Sequence, residues 1–461
     1  MNLVIQQTKL GELDSMPVRK AVLKNAIPTI MAMLMVLVYN LADTFFIGLT
    51  HDDFQVAAVS LATPVILIFM ALGMVFGIGG TSVISRAFGE GRNDYAKKIS
   101  SFCIWSGIAV GIIFSALFYI FMDDILRLIG ASENTWQLTK DYLSIVTLCG
   151  LLFIVAHCFS NILRAEGQAT KAMTGMMLGN VINIILDPLM ILTFGWGIKG
   201  AAIATVIGNL IGVAYYAAYF LRGKSMLSIR LKDFEFRDRI AKSVLSIGIP
   251  VALGSLLMSL SQVVMNSLMA GYDDLAVAAA GVSMKSTMII GMVAIGLGQG
   301  IQPLLGYCVG AKNWERYKEI MKFSVTFAGI LCVTITILCF IFTDKIVGAF
   351  LTQDIAFAYG VRFTRILQTT AFMFGVYYCL INALQSMGAA VASLIINISR
   401  QGLIYIPALF ILRAAFGFQG LIWAQPVADI LSLTLSLMLF AMTFKRLSKE
   451  RHVWSEQRCA F

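Results

Sequence analysis

Charged residues are scarce in this sequence, and their scarcity excludes most classes of protein. Only 13% of the 461 residues are Asp, Glu, Lys or Arg, against roughly 25% in soluble domains. Hydrophobic residues make up 59%, and the mean hydropathy is +0.83. A chain this apolar cannot keep its surface in water, whereas a bilayer supplies an apolar solvent for it. The composition predicts an integral membrane protein and argues against a soluble enzyme.

The patterns that soluble catalysis and metal binding require are also lacking. There is no GxxxxGK[ST] loop, no nucleophile elbow and no HExxH pair, which excludes the commonest nucleotide and hydrolase sites. The eight cysteines show no CxxC spacing, and the three histidines are scattered, so we expect no metal site made from them. The first 20 residues show no cleavage signal, so we expect no removed signal peptide. These absences predict a protein that is not an enzyme, needs no cofactor and draws on ion gradients.

Long apolar stretches, by contrast, recur along the whole chain. A helix needs roughly 17–25 apolar residues to cross a bilayer, and twelve stretches qualify. They predict an all-α integral membrane fold of twelve transmembrane helices, here called spans 1–12. The predicted spans are 22–48, 54–85, 97–121, 138–163, 171–194, 200–221, 243–271, 276–308, 320–342, 359–383, 389–412 and 420–443.

The position of the basic residues predicts the orientation of the chain. With the N-terminus in the cytoplasm, 26 of the 35 Lys and Arg fall on the cytoplasmic side, 7 fall outside and 2 lie within helices. This is the positive-inside bias, which predicts that both termini are cytoplasmic. The net charge of +10 therefore indicates contact with anionic lipid rather than nucleic acid. We expect a multi-pass protein of the plasma (inner) membrane.

The two halves of the chain resemble each other. At an offset of 221 residues, Val56-Ala57-Ala58 matches Val277-Ala278-Ala279, and Gly77 and Gly79 match Gly298 and Gly300. A register held over most of the chain indicates duplication. We therefore predict parallel six-helix lobes at 1–221 and 243–461, joined by a basic cytoplasmic linker at 222–242. Such repeats are typical of secondary transporters, with the substrate path between the halves.

Few ionisable residues interrupt the spans, and each is a functional candidate because an acid at the bilayer centre costs roughly 2.5–3.5 kcal/mol. Asp43 and Asp187 fall at similar depth near the outer ends of spans 1 and 5. Oxygen ligands near them could hold Na⁺, or the desolvated carboxylates could carry a proton. A polar clamp between helices is the alternative. The surrounding polar candidates are Asn183 on the same helical face, Thr205 and Asn209 in span 6, and Tyr39 and Asn40 in span 1.

The second lobe has a different set of polar residues. Lys285, Arg400 and Asp429 lie near mid-membrane in spans 8, 11 and 12, which predicts a charge network whose role is either structural pairing or transport. At the position matching Asp43 the chain has Met265 or Asn266. Flexible thioethers suit a promiscuous binding wall, whereas packing or contact with lipid is the alternative for such methionines; Met265, Asn266 and the neighbouring methionines join the candidates for the substrate path. The full set of such candidates is Tyr39, Asn40, Met265, Asn266, Met269, Lys285, Met288 and Arg400.

Several of these residues belong to sequence runs by which the chain resembles the MATE (multidrug and toxic compound extrusion) family over nearly its whole length. The features that carry the resemblance are Pro28 and Asp43 in span 1, the run LRAEG at 163–167, the run GNxxNxxxDP at 179–188 and the run GxxGAA at 197–202. It is more similar to the DinF and MepA branch than to the NorM branch.

The resemblance implies a cation site at Asp43, Asn183, Asp187 and Thr205, a bending point at Pro28 and a monomer. Asn180 of the run GNxxNxxxDP and the nearby Asn209 join the coupling candidates. NorM-like members also use carboxylates in spans 7 and 10. This chain has Asn266 in span 7 and no acid in the membrane part of span 10, so a second Na⁺ site of that kind is not expected.

The function expected from these features is export of bulky organic cations in exchange for H⁺ or Na⁺, by alternating access of two lobes. Two alternatives stay open. A transporter similar to lipid-linked sugar flippases would favour a basic cavity, for which Lys285 and Arg400 are suited. A channel or receptor without coupled transport belongs to another class, and the duplicated lobes and unpaired acids argue against it.

Overall fold

The computed structural model describes residues 9–223, 225–236, 238–272, 274–351 and 353–459, and within them it is helical, without strands. Among the described residues, ten helices are long and apolar enough to cross a membrane, and two bent helix pairs bring the number to as many as twelve. This confirms the predicted all-α fold of twelve spans.

Most of the spans are continuous helices, and four of them are broken or locally widened. Spans 1–6 are Val18–Gly48, Asp53–Gly89, Asn93–Ile120, the pair Glu133–Leu148 and Gly150–Ala165, Ala169–Pro188 continued by the π-helical turn Leu189–Thr193, and Gly197–Leu221. Spans 7–12 are Asp238–Ala270, Asp274–Gly310, Trp314–Ile341, the pair Asp354–Ala371 and Met373–Ser386, Ala390–Phe416 with a π-helical segment at Ser399–Ile404, and Phe418–Cys459. Shorter helices are Lys9–Ser15, Met122–Leu128, Leu231–Asp233 and Thr343–Gly348.

Spans 4 and 10 bend where the sequence predicts continuous helices. The two parts of span 4 meet at 49° around Cys149, and those of span 10 meet at 45° around Phe372. Gly150 follows the first break, and the ring of Phe69 fills the space that a side chain at Gly150 would need. Span 2 therefore packs closely against the bend in span 4, a contact that hydropathy does not reveal.

The contacts of the chain form two compact units. The N-terminal unit consists of Met31–Ala252 together with the short helix Lys9–Ser15, and the C-terminal unit consists of Met16–Ile30 together with the residues from Leu253 onward. The chain passes from one unit to the other two residues after Pro28 and two residues after Pro250. The first part of span 1 therefore packs with helices of the second sequence half. The first part of span 7 packs with helices of the first half.

Glycines in spans 2, 7 and 8 make this exchange possible. In the C-terminal unit, a side chain at Gly296 would meet the backbone of Ile30 at 2.6 Å. In the N-terminal unit, Gly248 of span 7 lies directly against the backbone of Val75 in span 2, and Gly79 lies against Val244. Only hydrogen at these positions allows backbones to approach so closely, as in other membrane helix pairs.

The linker after span 6 is fastened to the N-terminal unit. Ser100 Oγ donates to the Ser228 carbonyl (2.7 Å) and Trp105 Nε1 donates to the Ile229 carbonyl (3.0 Å). Glu166, from the LRAEG run, is buried and accepts hydrogen bonds from linker groups, among them the Ser225 hydroxyl at 2.8 Å. These bonds give the run at 163–167 a structural role in holding the linker.

Candidate functional site

Spans 1, 5 and 6 bring four of the predicted coupling residues together inside the N-terminal unit. Asp43 comes from span 1, Asn183 and Asp187 from span 5, and Thr205 from span 6. Their exposed fractions are 9%, 2%, 0% and 2%, respectively. Asn183 and Asp187 lie one helical turn apart and therefore share a face, which here is the face buried against span 6.

Asn183 links the two helices of the cluster. Its amide is best satisfied when the nitrogen donates to Asp187 Oδ2 (3.3 Å) and the oxygen accepts from the Thr205 backbone N–H (3.0 Å). The carboxylates of Asp43 and Asp187 are close enough to interact electrostatically. Within the described part of the chain, Asp43 Oδ1 is buried without a hydrogen-bond partner. A buried oxygen left in this way is costly, and a bound cation or proton would satisfy it.

The other predicted members of the cluster occupy its edge. Asn209 Nδ2 donates to the Thr205 carbonyl (2.9 Å), so Asn209 braces the turn that carries Thr205. Asn180 lies one turn before Asn183, and its amide nitrogen is buried without a partner among the described residues. Tyr39 is close to both carboxylates and to Thr205, whereas the Asn40 side chain is exposed.

Tyr142 belongs to the cluster although sequence reasoning missed it. This residue of span 4 is 2% exposed and lies beside Thr205, Tyr39 and both carboxylates. A tyrosine in an apolar span gives no signal of its own, because packing explains most such residues equally well. Only the convergence of span 4 with spans 1, 5 and 6 reveals the second tyrosine.

Close packing of spans 5 and 6 positions the cluster. The backbones of Gly179 and Gly208 face each other, so that a Cβ atom on either would lie 2.7 Å from the other's carbonyl oxygen. Tyr216 fills the space left by Gly175 and donates its hydroxyl to the Ala172 carbonyl (2.7 Å). Small residues at such crossings let helices approach until side chains of both can bond.

Directly after Asp187, Pro188 leads into the π-helical turn Leu189–Thr193. Proline has no N–H to donate within the helix and its ring crowds the preceding turn, and Phe194 N–H bonds back to the Leu189 carbonyl (2.8 Å), five residues earlier. π-Helical turns are frequent at functional sites. Here the turn borders the buried carboxylate.

The donor set of the cluster fits a small hard cation or a proton. Asp43, Asp187, Asn183 and Thr205 offer carboxylate, amide and hydroxyl oxygens, the atoms that Na⁺ prefers. The described residues contain no group of three His, Cys, Asp or Glu that could hold a metal ion. The same two carboxylates could alternatively exchange protons.

In the C-terminal unit, Arg400 and Asp429 form a buried ion pair. Arg400 Nε donates to Asp429 Oδ1 at 3.0 Å, and the two side chains are 9% and 3% exposed. The guanidinium carbon lies 4.5 Å from the ring centre of Phe374 and 5.1 Å from that of Tyr377. Arg400 lies in the π-helical segment Ser399–Ile404, so both units place a buried charge in or beside a widened helical turn.

The third member of the predicted charge network lies elsewhere. The Lys285 side chain is exposed, and its Nζ lies 5.7 Å from the ring centre of Phe350. Lys285 was expected close to the pair because it has a similar depth in the membrane. Its direction around span 8 differs, however, and depth alone does not determine direction.

The methionines predicted to line the substrate path differ in burial. Met265 and Met269 are 4% and 1% exposed and pack in a hydrophobic core with Phe363 and Leu409, so their side chains serve packing in this conformation. Met288 is exposed, and Asn266 is half-buried. Pro28 lies inside the continuous helix of span 1 and borders an open groove of about 610 Å³.

Comparison with known proteins identifies the family. The model of the MatE family matches residues 28–189 and again residues 250–411, one match in each half of the chain. The chain belongs to the MatE family. The double match agrees with the predicted duplication, and the family consists of membrane transporters, so the expectation that the chain is not an enzyme is confirmed.

Relatives of this MatE chain align over nearly their whole length. "Multidrug export protein MepA" of Staphylococcus aureus (strain MSSA476) is 30% identical, with 96% of this chain and 98% of the relative covered. The Staphylococcus saprophyticus protein of the same name is 26% identical, with 97% and 99% covered. These relatives confirm the resemblance to the MATE family and to its MepA branch.

Solved structures confirm the fold. A multidrug resistance MATE family transporter in an outward-facing conformation has a TM-score of 0.91 at 23% identity, with 96% of this chain and 100% of that chain covered. A MOP superfamily transporter from Pyrococcus furiosus has a TM-score of 0.90 at 23% identity, with 96% and 99% covered. The chain therefore has the twelve-helix, two-lobed MATE fold.

Proposed function

We propose that this MatE protein is a secondary active antiporter that exports bulky, mainly cationic drugs or toxic organic compounds in exchange for H⁺ or Na⁺. The observation that carries the proposal is the pair of buried carboxylates, Asp43 and Asp187, whose surroundings in the described residues include no basic partner. A polar clamp would not need two acids without a cation, because buried unpaired charge is costly. The names of the staphylococcal relatives describe multidrug export.

The carboxylates would couple the two fluxes by competition. A cationic compound is favoured while Asp43 and Asp187 are ionised, and entry of H⁺ or Na⁺ neutralises them. Neutralisation removes the attraction for the organic cation and favours its release outward. One charge crossing 100 mV supplies roughly 2.3 kcal/mol, which supports about a fifty-fold concentration gradient.

Alternating access would use the sequence halves 1–221 and 243–461 as lobes. We propose Pro28 as the bending point, because the chain leaves the C-terminal unit two residues later. Pro250 has the corresponding place in span 7. A proline removes one backbone hydrogen bond, which lowers the resistance of a helix to bending.

The cellular setting follows from the charge distribution. The excess of Lys and Arg on one side supports a plasma-membrane protein with both termini in the cytoplasm. We propose a monomer, because each lobe has a complete set of six spans. Tyr39, near the carboxylates, and other aromatic side chains would hold organic cations by cation–π contact.

Ethidium efflux from energised cells tests the function. Wild type is compared with Asp43→Asn, with Asp187→Asn and, as a matched control, with Asp123→Asn at equal membrane expression. Asp123 is a surface acid paired with Lys140 at 2.7 Å, and its side chain is 59% exposed. We expect wild type and the control to export ethidium until an uncoupler removes the H⁺ gradient or a change in Na⁺ concentration removes the Na⁺ gradient. Both buried variants should fail to export ethidium.

Other outcomes identify the competing functions. Wild-type cells that retain ethidium, or buried variants that export it normally, would refute coupled export through the carboxylates. In that case lipid-linked and anionic substrates are tested next, since a sugar flippase is the nearest alternative. Passive conductance without saturation would indicate a channel.

A further inference from the structure

The ion pair in the C-terminal unit leaves part of its arginine unused. Asp429 accepts three hydrogen bonds: Oδ1 accepts from Arg400 Nε (3.0 Å) and Gln425 Nε2 (2.9 Å), and Oδ2 accepts from Thr370 Oγ1 (3.2 Å). A carboxylate held by three donors from spans 10, 11 and 12 is fixed in position. It therefore fixes Arg400 in turn.

The other edge of the Arg400 guanidinium has no such engagement. A guanidinium has five N–H donors, one on Nε and two on each Nη. Among the described residues, the hydrogen bond to Asp429 is the only one that the Arg400 side chain makes, and it uses Nε. The Nη1 and Nη2 donors remain, and the side chain keeps 9% of its exposed surface. This edge is the one that binds a carboxylate with two parallel hydrogen bonds.

The aromatic neighbours make this edge a built site. Phe374 and Tyr377 lie 4.5 and 5.1 Å from the guanidinium carbon, so stacking orients the plane and removes water from it. Close to Asp429, Tyr405 is 1% exposed, and its hydroxyl is buried without a hydrogen-bond partner in the described part of the chain. A buried hydroxyl in this condition offers a further donor to a polar ligand.

We propose that the free Nη edge of Arg400 binds a carboxylate of the transported compound. In this subsite the group that the free edge recognises is a planar carboxylate, and Asp429 acts as the residue that positions Arg400. The transport part of this inference rests on the proposed export function, whereas the binding part does not. It adds an anion-recognising subsite in the C-terminal unit to the cation-coupling cluster in the N-terminal unit.

A pair of dyes that differ only in the carboxylate tests the inference. Rhodamine 110 has a free carboxylate, and rhodamine 123 is its methyl ester with the same aromatic cation. Binding of each to the purified full-length protein in detergent is measured by fluorescence anisotropy, without an ion gradient. The measured quantity is the ratio of the two dissociation constants, acid over ester, which cancels general losses of folding or affinity.

The main variant is Arg400→Met with Asp429→Asn, which removes the pair without leaving one buried charge alone. We expect its acid-to-ester ratio to rise roughly ten- to a hundred-fold above wild type, the value of charge-assisted hydrogen bonds to a carboxylate. The control is Arg365→Met with Asp344→Asn, an ion pair of the same unit at 3.1 Å whose side chains are 47% and 61% exposed. Its ratio should equal that of wild type.

Each result decides the inference. An unchanged ratio in the main variant overturns it, even if both dyes bind more weakly, because a purely structural ion pair affects both dyes alike. If the double variant does not fold, Arg400→Lys is used, because it keeps the charge but lacks the two parallel Nη donors. An unchanged acid-to-ester ratio in Arg400→Lys would also overturn the inference. Failure of gradient-driven ethidium export alongside a selective rise in the ratio would reject the proposed function and leave the carboxylate subsite intact.

Discussion

Replacing Gly208 by alanine is expected to damage the coupling cluster without touching its polar groups. The new Cβ would lie 2.7 Å from the Gly179 carbonyl oxygen and 3.0 Å from Asn183 Cβ, where ordinary contacts begin at 3.4 Å. Spans 5 and 6 must therefore separate locally by as much as about 0.7 Å. Overpacking of this kind typically costs about 1–3 kcal/mol of folding free energy.

The same shift acts directly on the site. The hydrogen bond from the Thr205 backbone N–H to Asn183 is 3.0 Å long, and stretching it by the required separation takes it beyond the hydrogen-bonding range. We therefore expect Gly208→Ala to lower both thermal stability in detergent and gradient-driven ethidium export, the latter by more than the loss of folded protein explains.

Gly212→Ala is the matched control, one turn further along the same face of span 6. Its Cβ would lie 3.3 Å from the Gly175 carbonyl oxygen, a contact that a small adjustment relieves. Stability and export should stay near the wild-type values. Equal damage from both alanines, or none from Gly208→Ala, would refute the argument that the Gly179–Gly208 crossing positions the cluster.

Three further changes test other contacts. Thr205→Val keeps the shape and removes the hydroxyl, so ethidium export should fall while Thr205→Ser restores it; normal export by the valine variant would remove Thr205 from the coupling set. Arg400→Met alone leaves Asp429 buried without its cation and should cost about 3–5 kcal/mol of folding free energy. Adding Asp429→Asn should recover most of this loss in thermal unfolding, and equal unfolding temperatures of the single and double variants would contradict the expectation. Glu166→Ala removes the acceptor that holds the linker, which should cost about 1–3 kcal/mol of stability and speed tryptic cleavage within 222–242. An unchanged cleavage rate would show that other contacts hold the linker.

Much of the candidate site follows from helical phase. Asn183 and Asp187 are four residues apart, so any helix places them on one face, and the cost of a buried charge requires that face to point inward. Equal depth of Asp43 and Asp187 follows from counting residues from the span ends. Tyr142 has no comparable signal, since its chemistry matches that of an ordinary packing residue.

The second unit shows where such counting fails. Lys285, Arg400 and Asp429 have similar depth, and the sequence groups all three. The structure pairs two of them and points Lys285 toward Phe350. Rotation of each helix about its axis decides the partner, and the π-helical segment at Ser399–Ile404 changes that rotation for Arg400.

Sequence alone determined the membrane class, the number of spans, the duplication and the few residues whose burial has to serve a purpose. These properties depend on local composition, because the bilayer acts on each apolar stretch separately. Tertiary structure decided which side chains meet, where spans 4 and 10 bend, and where the chain passes between units beside Pro28 and Pro250. Those features depend on how closely two backbones approach, which is set at glycines such as Gly179 and Gly208 that meet only in the folded protein.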